Sequence, residues 1–124
     1  SYIQKLKGIL ASNSENINII KAIRVKDKIP DISQIDVEYF LFDSFCDDKY
    51  GGTGKTFDYN FINRINKKYF LAGGLNGTNI RAAIDLFHPF AVDISSGVEI
   101  YPGKKDYVKL REIFNIVRGK KNEA

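Results

Sequence analysis

The residues from Tyr69 to Gly97 read YFLAGGLNGTNIRAAIDLFHPFAVDISSG, and their order decides the fold class. Tyr69-Phe-Leu-Ala72 is a short apolar run of strand-favouring residues, ended by Gly73-Gly74. Asn76 or Thr78 is placed to cap the helix that follows, with Ile80, Ala83, Ile84 and Phe87 on its inner face. Phe90-Ala-Val-Asp-Ile94 is a second apolar strand, and Ser95-Ser96-Gly97 follows it. Strand, helix and strand in so short a span imply parallel strands joined by a right-handed crossover.

The same alternation continues on either side. Tyr2, Ile3, Leu6, Ile9 and Leu10 repeat at helical spacing, and Ile17 to Val25 is rich in β-branched residues, as a strand requires. Pro30-Asp31 starts a short helix to Asp36, and Tyr39-Phe-Leu-Phe-Asp43 is a strand apolar enough to be covered on both faces. A polar, Gly-rich segment follows from Ser44 to Phe57. Asp58 caps a helix carrying Phe61, Ile62 and Ile65. The last helix runs from Asp106 to Arg118, with Val108, Leu110, Ile113, Phe114 and Val117 at core spacing, and Gly119 stops it. Four strand–helix units in 124 residues come to about 31 residues each. Eight would approach the ~250 residues of a (β/α)8 barrel. The chain therefore reads as a single α/β domain, 1–124. It is either half of such a barrel, preceded by a helix, or a four-stranded open sheet. Spacing alone leaves both open.

Composition narrows the function classes. Leu, Ile, Val and Phe make up 39 of the 124 residues, enough for a packed core and far above a disordered composition. The net charge is +4, with much of the excess near Arg118, Lys120 and Lys121. A basic tail reads as solvated surface, so no nucleic-acid partner is expected. The single cysteine, Cys46, excludes an internal disulfide framework and suits a reducing, cytoplasmic compartment. The single histidine, His88, argues against a multi-histidine metal site, and no metal is expected. No apolar run approaches the ~20 residues that span a bilayer, and Ser1 to Lys7 contain no apolar leader segment.

Glycines and hydroxyls gather after the strands, and ligands of parallel α/β folds bind at the carboxyl ends of strands. Three segments there could carry chemistry. Alternation puts Tyr39, Leu41 and Asp43 on one face, so in a barrel Asp43 stands at the mouth of the lumen. It is either a general acid or a turn residue. Gly51-Gly52-Thr53-Gly54-Lys55-Thr56 invites a phosphate-loop reading, but the full pattern needs Gly at position 49, which is Lys. A long binding loop or lid is the better account. Gly73-Gly74 and Ser95-Ser96-Gly97 form a pair of turns rich in backbone N–H groups, suited to a phosphate. Lys21, midway along its strand, is expected to face the lumen and meet Asp43 or Asp93.

Phe42-Asp-Ser44, Gly51 to Asp58, Leu71-Ala-Gly-Gly-Leu75, Val92 to Glu99 and Pro102-Gly-Lys-Lys-Asp106 together resemble the phosphoribosylanthranilate isomerase family in order and spacing. The resemblance covers essentially the whole chain, but only the carboxyl-terminal part of the family, strands five to eight of its barrel. It implies an isomerase of tryptophan biosynthesis, and hence of aromatic amino-acid biosynthesis. The reaction is the Amadori rearrangement of N-(5-phosphoribosyl)anthranilate to 1-(2-carboxyphenylamino)-1-deoxyribulose 5-phosphate. By the same resemblance Asp43 is the general acid, and Gly73, Gly74, Ser95, Ser96 and Gly97 bind the substrate phosphate. Gly51, Gly52, Thr53, Gly54, Lys55 and Thr56 form a mobile cover, and no cofactor is needed. The family's general base is a Cys at the end of strand one, in a segment not represented here. Cys46 does not match it, and His88 falls in a turn away from the chemistry. The chain alone is thus expected to be inactive. Its partners are a phosphorylated small molecule and either the amino-terminal half-barrel or a second copy. The other readings are a phosphate-binding half-barrel without turnover and a P-loop nucleotide hydrolase.

Overall fold

A computed structural model describes residues 1–14, 16–25, 30–43 and 65–119. Helix α1 (Tyr2–Ser12) leads to β1 (Ile20–Arg24), β2 (Tyr39–Asp43), β3 (Tyr69–Leu71), α2 (Ile80–Phe87) and β4 (Ala91–Val92). A 3-10 turn (Ser96–Val98), a hairpin of β5 (Glu99–Tyr101) and β6 (Lys104–Lys105), and helix α3 (Tyr107–Val117) follow. The four main strands are parallel and lie in the order β1-β2-β3-β4. Parallel strands that neighbour each other in chain order are the arrangement of a barrel wall.

The two faces of this sheet differ. Phe40 and Phe42 of β2, Ile23 of β1 and Tyr69 and Leu71 of β3 point to one side, where they bury against Ala83 and Phe87 of α2. Phe42 and Leu71 have no exposed surface, and burying side chains of this size contributes about 1.5–3 kcal/mol each. The Tyr69 hydroxyl donates to the Phe87 carbonyl, tying β3 to the end of α2, and burial pushes this phenol's pKa up. The opposite face is only partly covered by the described residues. There Tyr39, Phe70 and Phe90 form a ring cluster with centroids 5.7 to 5.9 Å apart, yet Phe90 is 54% exposed and Ile20 49%.

The helix expected after Asp58 lies outside the described residues; the other expected elements are present with three differences. Asp31 to Asp36 makes one turn rather than a helix, because the Asp31 carboxylate takes the Ser33 N–H and only Ile35 reaches back, to Ile32. The outer strands are shorter than expected, since β1 and β4 each have a ladder on one side only among the described residues. The hairpin β5–β6 was not anticipated. Lys21 also departs from expectation. It pairs with Phe40 and so shares the face of Ile23, not that of Asp43. It is exposed, with no carboxylate of the described residues within 4 Å.

Candidate active site

The strands end together at their carboxyl side, and a pocket of about 260 Å³ opens there. Its wall takes Leu41 and Asp43 from β2, Ala72 to Leu75 from the turn after β3, and Asp93 to Gly97 from the turn after β4. Thus Asp43, Gly73, Gly74, Ser95, Ser96 and Gly97, separated by up to 54 positions, line one cavity. The strand register produces this: the Asp43 carbonyl takes the Val25 N–H at 3.0 Å, and the Asp93 N–H reaches Leu71 at 2.8 Å. Each contact continues the ladder one step past a strand.

The turn after β3 needs its glycines. Gly73 and Gly74 have φ of 88° and 63°, a region that costs other L-residues roughly 1–2 kcal/mol. The Gly74 carbonyl is then held from outside by Asn79 Nδ2 at 2.9 Å and Asn76 Nδ2 at 3.3 Å. Asn79, not Asn76 or Thr78, is the residue at the helix start, and its side chain caps no N–H of α2. Its Oδ1 instead takes the Asn76 N–H at 2.9 Å, so capping chemistry is diverted to shape the loop.

The turn after β4 is seated on its partner. A Cβ at Gly97 would lie 1.9 Å from the Leu75 carbonyl oxygen and 3.1 Å from Asn76 Cα. Only glycine lets the two backbones approach so closely. Beneath the turn, Val98 is buried with Ile80 of α2 and Ile113 of α3, which fixes the 3-10 segment on the helical layer. The hairpin then holds the turn from the side. Lys105 Nζ donates to the Ser95 carbonyl at 2.9 Å, to Ser95 Oγ at 3.3 Å and to Glu99 Oε1 at 2.7 Å. The Lys105 hydrogen bond and charge, with the Gly103 N–H, hold the Glu99 carboxyl below its ordinary pKa. Lys109 Nζ donates to the Glu99 carbonyl at 2.7 Å, and the Asp106 N–H to Val98 at 2.7 Å.

Sequence reasoning gave three residues here no part in the site. Asp93, named only as a partner for Lys21, directly follows β4 as Asp43 ends β2, and the repeated strand-end aspartate was the available signal. Glu99 and Lys105 belong to quoted motifs, but their pairing depends on a hairpin. Gly51 to Thr56 and Cys46 lie outside the described residues. His88 ends α2 in the left-handed region, φ 45°, in the helix-to-strand turn expected for it. Among the described residues no group of three or more His, Cys, Asp or Glu could hold a metal ion. Likewise no described helix is long and apolar enough to cross a membrane.

Residues 7–116 match the family described as N-(5'phosphoribosyl)anthranilate (PRA) isomerase. An N-(5'-phosphoribosyl)anthranilate isomerase of Thermoanaerobacter pseudethanolicus is 44% identical over 111 residues, covering 86% of this chain and 54% of the relative. A phosphoribosyl anthranilate isomerase of Thermococcus kodakaraensis superposes with a TM-score of 0.67 at 30% identity, over 92% of this chain and 58% of that one. Another, also 30% identical, has a TM-score of 0.60 over 91% and 55%; it is in complex with reduced 1-(o-carboxyphenylamino)-1-deoxyribulose 5-phosphate. The chain spans about half the length of the relatives it matches.

Proposed function

The chain belongs to the N-(5'-phosphoribosyl)anthranilate isomerase family, and we propose that it supplies the general acid and the phosphate-binding turns of that isomerase. One juxtaposition carries the proposal: a strand-end carboxylate, Asp43, shares a pocket with two backbone-rich turns, Gly73–Gly74 and Ser95–Gly97. The turns present N–H groups, which hold a phosphate without an Arg or Lys side chain. The phosphate anchors one end of the substrate, and Asp43 faces the sugar ring. Asp43 gives its proton to the furanose oxygen as the bond from that oxygen to C1 breaks. The anilino nitrogen lone pair moves into the C1–N bond, leaving an open-chain Schiff base. A general base then takes the C2 proton, and the resulting enolamine tautomerises to the ketone.

That base and the remaining cover for the partly covered sheet face come, in this reading, from the amino-terminal four units of the family's barrel. The half-buried rings of Tyr39 and Phe70 and the exposed ring of Phe90 then fill the lumen. Alone, the chain binds phosphate esters without turnover, in the cytoplasm where the pathway to tryptophan operates. The test is to assay conversion of N-(5-phosphoribosyl)anthranilate by the chain alone, by the chain joined to the amino-terminal half of a relative, and by that half alone. Turnover only in the joined protein supports the proposal. A joined, folded protein that neither turns over nor binds the substrate refutes it. Affinity without turnover in the joined protein favours a phosphate-binding module instead.

A further inference from the structure

Lys105 lies outside the pocket wall, yet three of its hydrogen bonds end on the turn that forms that wall and on the hairpin beside it. The peptide between Ser95 and Ser96 is trans and planar, so its C=O and N–H point in opposite directions. The Ser95 carbonyl is drawn to the hairpin side by Lys105 Nζ at 2.9 Å and accepts the Val98 N–H at 3.3 Å. The Ser96 N–H is thereby turned away from the Lys105 side, and Ser96 is itself a residue of the pocket wall. The ammonium is itself fixed, because Glu99 takes it at 2.7 Å with a side chain only 15% exposed. Lys109 secures the Glu99 backbone from the far side. The residues Pro102-Gly-Lys-Lys-Asp106 and Ser95-Ser-Gly-Val-Glu99 are therefore one mechanical unit.

We propose that Lys105, held by Glu99, is a positioning residue that sets the direction of the Ser96 N–H and so tunes affinity for the phosphate end of the substrate. This rests on the phosphate-binding role given above to Ser95–Gly97. Lys105 touches neither the phosphate nor the reacting carbons. Its loss weakens a contact made equally in the ground and transition states, which raises KM and leaves kcat nearly unchanged.

Steady-state kinetics of the chain joined to the amino-terminal half of a relative, with inorganic phosphate as a competitive probe, test this through Lys105→Met, Lys105→Arg and Glu99→Gln. Loss of a charge-assisted hydrogen bond at this point is expected to raise KM, and the inhibition constant of inorganic phosphate, by about 10- to 100-fold in Lys105→Met. The value of kcat stays within about threefold. Lys105→Arg, which can still reach the Ser95 carbonyl and Glu99, recovers most of the affinity. Glu99→Gln, which leaves the ammonium without its anchor, falls between them. Unchanged KM in Lys105→Met overturns the proposal, and so does a fall in kcat alone. If Lys105→Met fails to fold, Glu99→Gln decides by the same criteria. A wild-type barrel that inorganic phosphate does not inhibit removes the phosphate reading itself, a result distinct from any difference among variants.

Discussion

The two ends of the sheet are built from different materials. At the amino ends of the strands, charged side chains hold the chain together. Lys7 Nζ bridges Asp36 at 3.0 Å and Glu38 at 3.3 Å, Lys67 reaches Asp36 at 3.7 Å and the Val37 carbonyl, and Glu38 takes the Ile19 N–H at 2.7 Å. Lys68 lies over the Phe90 ring at 4.7 Å. At the carboxyl ends, the corresponding places hold glycines, serines and two aspartates around an open pocket, and the fixing groups stand behind the turns. One end uses its side chains to join elements, whereas the other lines a pocket with glycine and serine turns. In parallel α/β folds this is the difference between the stabilising and the reactive face.

The comparison breaks most sharply at Asp43. In the joined barrel Asp43→Asn keeps the shape but cannot donate its proton in the same way, so kcat should fall by about 10²- to 10⁴-fold with little change in thermal midpoint. Near-normal kcat would move Asp43 to the structural side. Gly97→Ala comes next. Its Cβ, 1.9 Å from the Leu75 oxygen, forces the two turns apart by on the order of 1 Å, enough to cost about 10²-fold in kcat/KM. A variant with wild-type kinetics would show that the close seating is incidental.

At the other end the expected effects are smaller and fall on stability. Lys67→Met removes the bond to the Val37 carbonyl and should destabilise by about 1 kcal/mol without altering KM, as denaturant titration would show. Acid should reveal the same asymmetry. The Lys7 hydrogen bond and charge lower the pKa of Asp36, and the Ile19 N–H followed by Lys7 lowers that of Glu38. Carboxyls depressed on folding stabilise above their unfolded values, near 4, and that contribution is lost as pH falls through the lower folded values. Lys7→Met should therefore flatten the fall in thermal midpoint below about pH 4. An identical profile would mean the network is merely solvated surface. The smallest effect belongs to His88→Gly, which relieves a left-handed residue at the end of α2 and should stabilise by about 0.5 kcal/mol.

The sequence made most of this division legible. β2 was read to its end residues and α3 to within its two caps, because long apolar runs at a clear period leave few alternatives. The pocket was legible for a similar reason: glycine and serine clusters occur after strands and not before them. The hairpin β5–β6 was missed although Pro102-Gly103 carries the turn chemistry, with Gly103 at φ 88°. Strands of two and three residues hold no periodicity. The contacts of Lys105 were hidden because a lysine beside a turn looks solvated until the hairpin folds it back. Lys21 was misplaced by one step of alternation, and one step exchanges the faces of a strand.

Amide shifts of the joined barrel on titration with inorganic phosphate test the division between the two ends most directly. The account predicts saturable shifts at Gly73, Gly74, Ser95, Ser96 and Gly97, with Asn66, Lys67 and Lys68 unmoved. Shifts confined to that cationic turn at the amino end, or none at the five backbone positions, would contradict it.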